Sequence, residues 1–278
     1  MAISFKGAHF PPALMLMGVR WYLAYPLSSR HVEALMEERG IELDHASINR
    51  WVIKYSPQLE AECHCCKRPV WTRWRMDEMY IKVKGEWTYL DRAVDKYGKT
   101  LDFLLTEKRD EQAAKTCLSR AIRRHGGVPE KITLDGSVAN EAALKSDNEE
   151  HRTSIEICKI KCLHNLVEQA HRAVKRLTRA MMGFKSFEAA QCTLAGIERM
   201  HMLRKGQLEG NEFAGLTATE QFYALALYSL HLARFIHLKT SRHPDLRHNP
   251  SETQPASKTA SCMARRLGPP SGPQTWRS

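Results

Sequence analysis

Long apolar runs are what this 278-residue chain lacks. The best candidate, PPALMLMGVRWYLAY (residues 11–25), is too short to span a bilayer, carries Arg20 and stops at Pro26. No basic stretch precedes it and no small-residue cleavage site follows, so a secretory signal is not expected. A helix opening at the proline pair is expected, because proline is tolerated in a first helical turn. Paired zinc motifs are lacking too. A zinc module is marked by two Cys-x2-Cys pairs around a spacer. Neither CHCC (Cys63, His64, Cys65, Cys66) nor the later Cys158, Cys162 and His164 makes that pattern, so plain thiols are expected. The chain reads as cytoplasmic, where its eight cysteines stay reduced. Acid is also scarce: 31 Asp and Glu face 42 Lys and Arg, for a formal charge of +11 and a pI near 9.3. Such a surplus favours a polyanionic partner, nucleic acid before an anionic membrane surface.

What is present falls into three parts. Residues 1–60 read as a DNA-binding domain whose residues 12–60 are helical. Val32, Leu35 and Met36 recur at helical spacing, Gly40 supplies a stop, and Asp44 can cap a second helix. The inner stripe of that helix would be Ile48, Trp51 or Val52, and Tyr55. Two short helices around a glycine-containing turn make a helix-turn-helix pattern. It would project His45, Ser47, Asn49 and Arg50 toward base edges and phosphates, the alternative being a plain helical hairpin. Residues 61–72 break into Cys, Lys, Arg and Pro and read as a linker.

From residue 73 the period changes. RWRMDEMYIKVKG, EWTYLDRAVD and KTLDFLLTEK are apolar-rich runs with turn-sized, glycine-containing gaps, which predicts three antiparallel strands. A helix, a strand around PEKITLD, a helix, a strand around SIEICKIK and a basic helix over 165–181 follow, then one more helix over 186–205. This order predicts an α/β fold with a mixed sheet flanked by helices, the order of an RNase H-like core, over residues 73–208. The tail, 209–278, is rich in Pro, Ser and Thr and is expected to be largely disordered. No internal repeat is visible.

A basic protein that cuts nucleic acid still needs acids to hold metal, because hard divalent cations take carboxylate oxygen. In an RNase H-like topology the first and fourth strands are neighbours, which would bring Asp77 and Asp135 together, with Glu168 arriving from the basic helix. Each has an ordinary reading as well. Asp77 has Glu78 beside it, and alternation lets only one face a site. Asp135 precedes Gly136 as a turn aspartate does, and Glu168 can pair with Arg172 four residues on. The order of the three on their elements is what singles them out.

The stretches WRMDEMYIKVKGEWTYLDRAVDKYGKTLDFLLTEKRD, ITLDGSVANEAALKSDNEEH and HNLVEQAHRAVKRLTRAMMGFKSFEAAQCTLAGIE resemble the bacterial insertion-sequence transposases of the DDE class. More narrowly, the chain resembles the family numbered six in insertion-sequence nomenclature, from about residue 5 to about residue 224. The resemblance implies a catalytic, metal-holding triad of Asp77, Asp135 and Glu168. It implies two Mg²⁺ ions, with Mn²⁺ able to substitute, and DNA contacts from Arg172 and Lys175. Seven residues are two helical turns, so Glu168 and Lys175 share a face about 10 Å apart along the axis. The partners implied are double-stranded DNA, as terminal inverted repeats and target DNA, and further copies of the chain, at least a dimer. Family members commonly carry Asn at position 164, Asp at 170 and Thr at 79, where this chain has His164, Ala170 and Met79. The reaction implied is strand cleavage and transfer through cointegrates. An end-binding remnant acting as a repressor, and a nuclease of RNA–DNA hybrids, are the alternatives.

Overall fold

The computed structural model describes residues 3–134, 138–159 and 164–226; the side chains of Val138 and of residues 164–170 lie outside that description. Three helices lead: α1 (Pro12–Ala24), α2 (Ser29–Glu37) and α3 (His45–Cys65). Proline opens α1, Ser28 caps α2 by accepting the His31 amide at 3.1 Å, and Asp44 caps α3 by accepting the Ala46 amide at 3.2 Å. Gly40 adopts φ +69° in the connection after α2. Ile48, Trp51, Val52 and Tyr55 are all buried, so the predicted stripe is the inner face of α3.

A five-stranded sheet follows, built from β1 (Arg73–Val83), β2 (Glu86–Asp95), β3 (Thr100–Thr106), β4 (Lys131–Leu134) and β5 (Glu156–Lys159). Its order is β3-β2-β1-β4-β5, with β1, β2 and β3 antiparallel and β4 parallel to both β1 and β5. The β1–β2 hairpin turns on Lys84 and Gly85, both at positive φ, as a two-residue turn matched to strand twist demands. This is the RNase H-like mixed sheet that the element order predicts.

Helices cover both faces. On one, α4 (Glu111–His125) and α5 (Val138–His151) enclose Trp74, Met76, Ala93, Leu101, Ile132 and Leu134. On the other, α6 (His164–Ala180) and α7 (Phe187–Arg204) meet Met79, Ile81, Val83, Leu90, Phe103 and Leu105. The second core does not stop at the sheet. It takes in Leu16, Val19 and Leu23 of α1, and Ile48, Val52 and Tyr55 of α3, because α3 packs along α7. Gly196 in α7 permits the approach: a Cβ there would sit 2.5 Å from a Leu23 methyl and 2.9 Å from the Ser56 hydroxyl.

Two boundaries differ from expectation. The linker expected over 61–72 starts later, since α3 continues through Cys65 to bury Leu59 and Cys63 against α7. The recognition-type helix is accordingly not short. Residues 209–226, expected within the disordered tail, are ordered: Asn211–Phe213 form a 3-10 turn and 218–226 a helix burying Phe222, Leu225 and Ala226. The rest of the tail lies outside the described residues. Among the described residues no helix is long and apolar enough to cross a membrane.

Candidate active site

β1 carries two adjacent acids, and the pleat separates them. Side chains alternate across a strand, and the odd-numbered Met79, Ile81 and Val83 face α6 and α7 while Trp74 and Met76 face α4 and α5. Asp77 therefore lies on the α6 side, 9% exposed. One of its carboxylate oxygens accepts the Glu78 amide at 2.8 Å, and the other lies 3.5 Å from Nδ1 of His171 in α6. Glu78 takes the opposite face and accepts a bond from Arg109 at 2.9 Å.

Directly across the ladder from Asp77 is Arg92 of β2. Its guanidinium is buried and engaged by Glu198 of α7, with Nε at 2.8 Å and Nη2 at 3.0 Å from the two carboxylate oxygens. Thr100 donates its hydroxyl to the same carboxylate at 3.3 Å. Burial alone would raise the Glu198 pKa, but Arg92, aided by His201 and Lys205, outweighs it and holds the group down at about 2. Burial depresses His201 to about 4 in spite of the nearby Glu198 charge. The cation opposite Asp77 is thus anchored to a carboxylate of its own.

The remaining candidates are distributed as follows. Asp135 lies outside the described residues; it is next in sequence after Leu134, whose partner in β1 is Met76. Glu168 belongs to α6, three residues ahead of His171, and its side chain lies outside the description. Arg172 and Lys175 are exposed on the same helix. In the first turns of α3, Asn49 and Arg50 are exposed and Ser47 is half-buried, with Arg50 donating to the Ser47 hydroxyl at 2.8 Å. His45, expected to reach outward with them, lies 2.9 Å from Asp44 and 3.4 Å from Glu33. Those three form the only group of three potential metal-holding side chains among the described residues, and no cysteine belongs to it.

Three participants escape the sequence reading. His171 had a usable signal, standing three residues after Glu168 on the same helical face. Arg92 and Glu198 are 106 residues apart, and no local pattern joins them. Chemically, Asp77 offers the hard oxygen donor that Mg²⁺-like cations require, with one oxygen tied to the backbone and the other turned toward α6.

Residues 71–207 match a family model described as a DDE domain. The transposase for the insertion sequence-like element IS431mec of Staphylococcus aureus is 35% identical over 203 residues, covering 72% of this chain and 88% of that one. The transposase for insertion sequence element IS257 in transposon Tn4003, also from Staphylococcus aureus, is 34% identical with the same coverage. Among solved structures, the catalytic core domain of HTLV-2 integrase in complex with magnesium (dimeric form) aligns with a TM-score of 0.37 at 18% identity, over 56% of this chain and 99% of that one. With relatives at this identity aligned across most of their length, the chain belongs to the DDE transposases of the insertion-sequence family numbered six, polynucleotidyl transferases of DNA transposition.

Proposed function

We propose that the chain binds the terminal inverted repeats of its own element and that Asp77, Asp135 and Glu168 hold two Mg²⁺, or Mn²⁺ in their place, for strand cleavage and strand transfer. The β1–β4 register carries this reading. Met76 pairs with Leu134, and the next residue in sequence after each is an aspartate, Asp77 and Asp135. Ile132 and Leu134 face the α4–α5 side, and a residue continuing that alternation would take the face of Asp77. Glu168 precedes by about one helical turn the histidine that touches Asp77. Three carboxylates are the donor set that such ions take.

When bound, the ions would lower the pKa of water and stabilise charge on the attacking and leaving oxygens. The chain's own groups orient the parts. The Glu78 amide and His171 fix the two oxygens of Asp77. Arg172 and Lys175 would hold backbone phosphates along the exposed face of α6, while Ser47, Asn49 and Arg50, in the helix-turn-helix of residues 1–60, would read the repeat. Water cuts the strand and leaves a 3′-OH, which attacks a target phosphodiester in line; no covalent enzyme–DNA intermediate is needed. A pair of ends must be held together, so the working unit is at least a dimer, and the product is a cointegrate.

Strand transfer with Mg²⁺ on DNA carrying an element end tests the reading. Asp77→Asn, Asp135→Asn and Glu168→Gln should each abolish product, and Glu78→Gln should retain it. Full activity in Glu168→Gln, or loss with Glu78→Gln but not Asp77→Asn, refutes the assignment. End binding without cleavage by the unsubstituted chain would make it an end-binding protein rather than an active transposase.

A further inference from the structure

Among the described residues, β4 pairs with β1 over Arg73–Met76 alone, the first part of that strand. Beyond Asp77 that edge of β1 opens on a groove of about 940 Å³. At the far end the Lys84 amide donates to the Phe184 carbonyl at 2.8 Å and ties the hairpin to the chain after α6. One wall is the second half of α6, with Lys175 and Arg179; the other is the β1–β2 hairpin. The hairpin brings three aromatic rings to the groove. Tyr80 and Tyr89 pair across the ladder with centroids 5.4 Å apart, and Trp87 stands edge-on to Tyr80 at 6.4 Å. Trp87 is 60% exposed and Tyr80 45% exposed, a costly display for rings with no ligand.

A second groove of about 530 Å³ shares Lys82, Met182, Gly183 and Phe184 with the first and continues to Ser28–Arg30 and His45, at the starts of α2 and α3. Arg30, Lys82, Lys175, Arg179 and Lys185 line the combined path, and among the described residues no aspartate or glutamate lines either groove. Five cations with no acid complement a phosphate backbone. Exposed rings add a stricter condition. Inside a duplex both faces of a base are covered by its neighbours, so away from a blunt end a ring can stack only on a base that has left the stack.

We propose that this groove binds unpaired DNA at the element end, with bases stacked on Trp87 and Tyr80 and phosphates on Lys82, Lys175 and Arg179. The proposal rests on the transposase reading, since cutting one strand at an end frees nucleotides next to Asp77. Tyr80 and Lys82 stand on the face of β1 opposite Asp77, so the strand would leave Asp77 around the edge of β1, past Lys175 and Arg179, to reach the rings.

The test uses the full chain in EDTA, so that binding is measured without strand cleavage. Two probes are compared: a fully paired duplex end, and the same duplex with about four unpaired nucleotides carrying 2-aminopurine. The unsubstituted chain should prefer the unpaired end by about tenfold or more and should quench the 2-aminopurine, as one base stacked on an aromatic ring predicts. Trp87→Ala should remove most of that preference, and Trp87→Phe should restore it. Tyr97→Ala is the control: Tyr97 is 61% exposed with the Lys96 ammonium 4.8 Å from its ring, but lies outside the groove. Equal affinity for the two probes overturns the proposal, as does a preference lost in Tyr97→Ala but not in Trp87→Ala. A Trp87→Ala effect confined to oligomer size would make the groove an interface between copies, and would overturn it too. Loss of strand transfer in Mg²⁺ with the preference intact would instead count against the catalytic assignment.

Discussion

Replacing Glu198 with glutamine should unsettle both the fold and the site. The Arg92–Glu198 pair is buried at both ends, and removing one partner of such a pair costs about 3–5 kcal/mol because a charge is left unmatched. The pKa leads to the same size. A carboxyl held at about 2 instead of 4.5, at about 1.4 kcal/mol per unit, corresponds to about 3 kcal/mol. In a domain of this size that lowers Tm by about 6–12 °C. The sign with pH follows from the depressed pKa. The contribution is complete above about pH 4.5 and disappears as pH falls toward 2, so the deficit of Glu198→Gln should be full at pH 7 and shrink below 4.5. Urea unfolding at several pH values measures this. A deficit below about 1 kcal/mol at pH 7, the size expected of an exposed pair, refutes the argument. The double variant Arg92→Met/Glu198→Leu should recover most of the loss, because apolar groups replace both charges. There is a functional readout as well. With Glu198 neutral, the guanidinium of Arg92 is released directly across from Asp77, where it would compete with a metal ion held there as proposed. Strand transfer by Glu198→Gln should therefore need more Mg²⁺, and the double variant should not.

Gly196→Ala should destabilise by about 1–3 kcal/mol through overpacking, less about 1 kcal/mol of helix propensity, because Leu23 and Ser56 are themselves buried. Gly18→Ala, with contacts of 3.2–3.4 Å to Ile48, Met36 and Trp51, should be close to neutral in the same urea titration. Lys175→Ala should weaken DNA binding about equally on all sequences and reduce the salt slope by about 1, whereas Arg50→Ala should also relax preference for the repeat; equal effects of the two on specificity would refute their separate roles. His201, depressed to about 4, is bound neutral, so stability should begin to fall as pH drops through 6.5 and continue toward 4, ahead of the Glu198 window. A stability curve flat from pH 7 to 5 would show that His201 is not coupled to folding.

The parts of this fold legible in the sequence are those set by local period. Alternation marks β1 to β3, the 3.6-residue stripe marks α3, and the apolar parity of Met79, Ile81 and Val83 settles which of Asp77 and Glu78 faces α6. Composition was a poorer guide. The CHCC stretch reads as a linker because its polar neighbours hide that Cys63 is a buried position of α3 packed near α7. Residues 209–226 were averaged into a Pro- and Ser-rich tail, although Phe213 and Phe222 anchor them to the core. The Arg92–Glu198 pair needs the tertiary fold to be seen at all. The groove is a different kind of case. Tyr80, Trp87 and Tyr89 look like ordinary strand residues, and what gives them another meaning is the wall opposite. Lys175 and Arg179 of α6 stand across the groove from them, and no local period joins that helix to the β1–β2 hairpin. Sequence motifs name the acids; the tertiary fold decides what stands beside them.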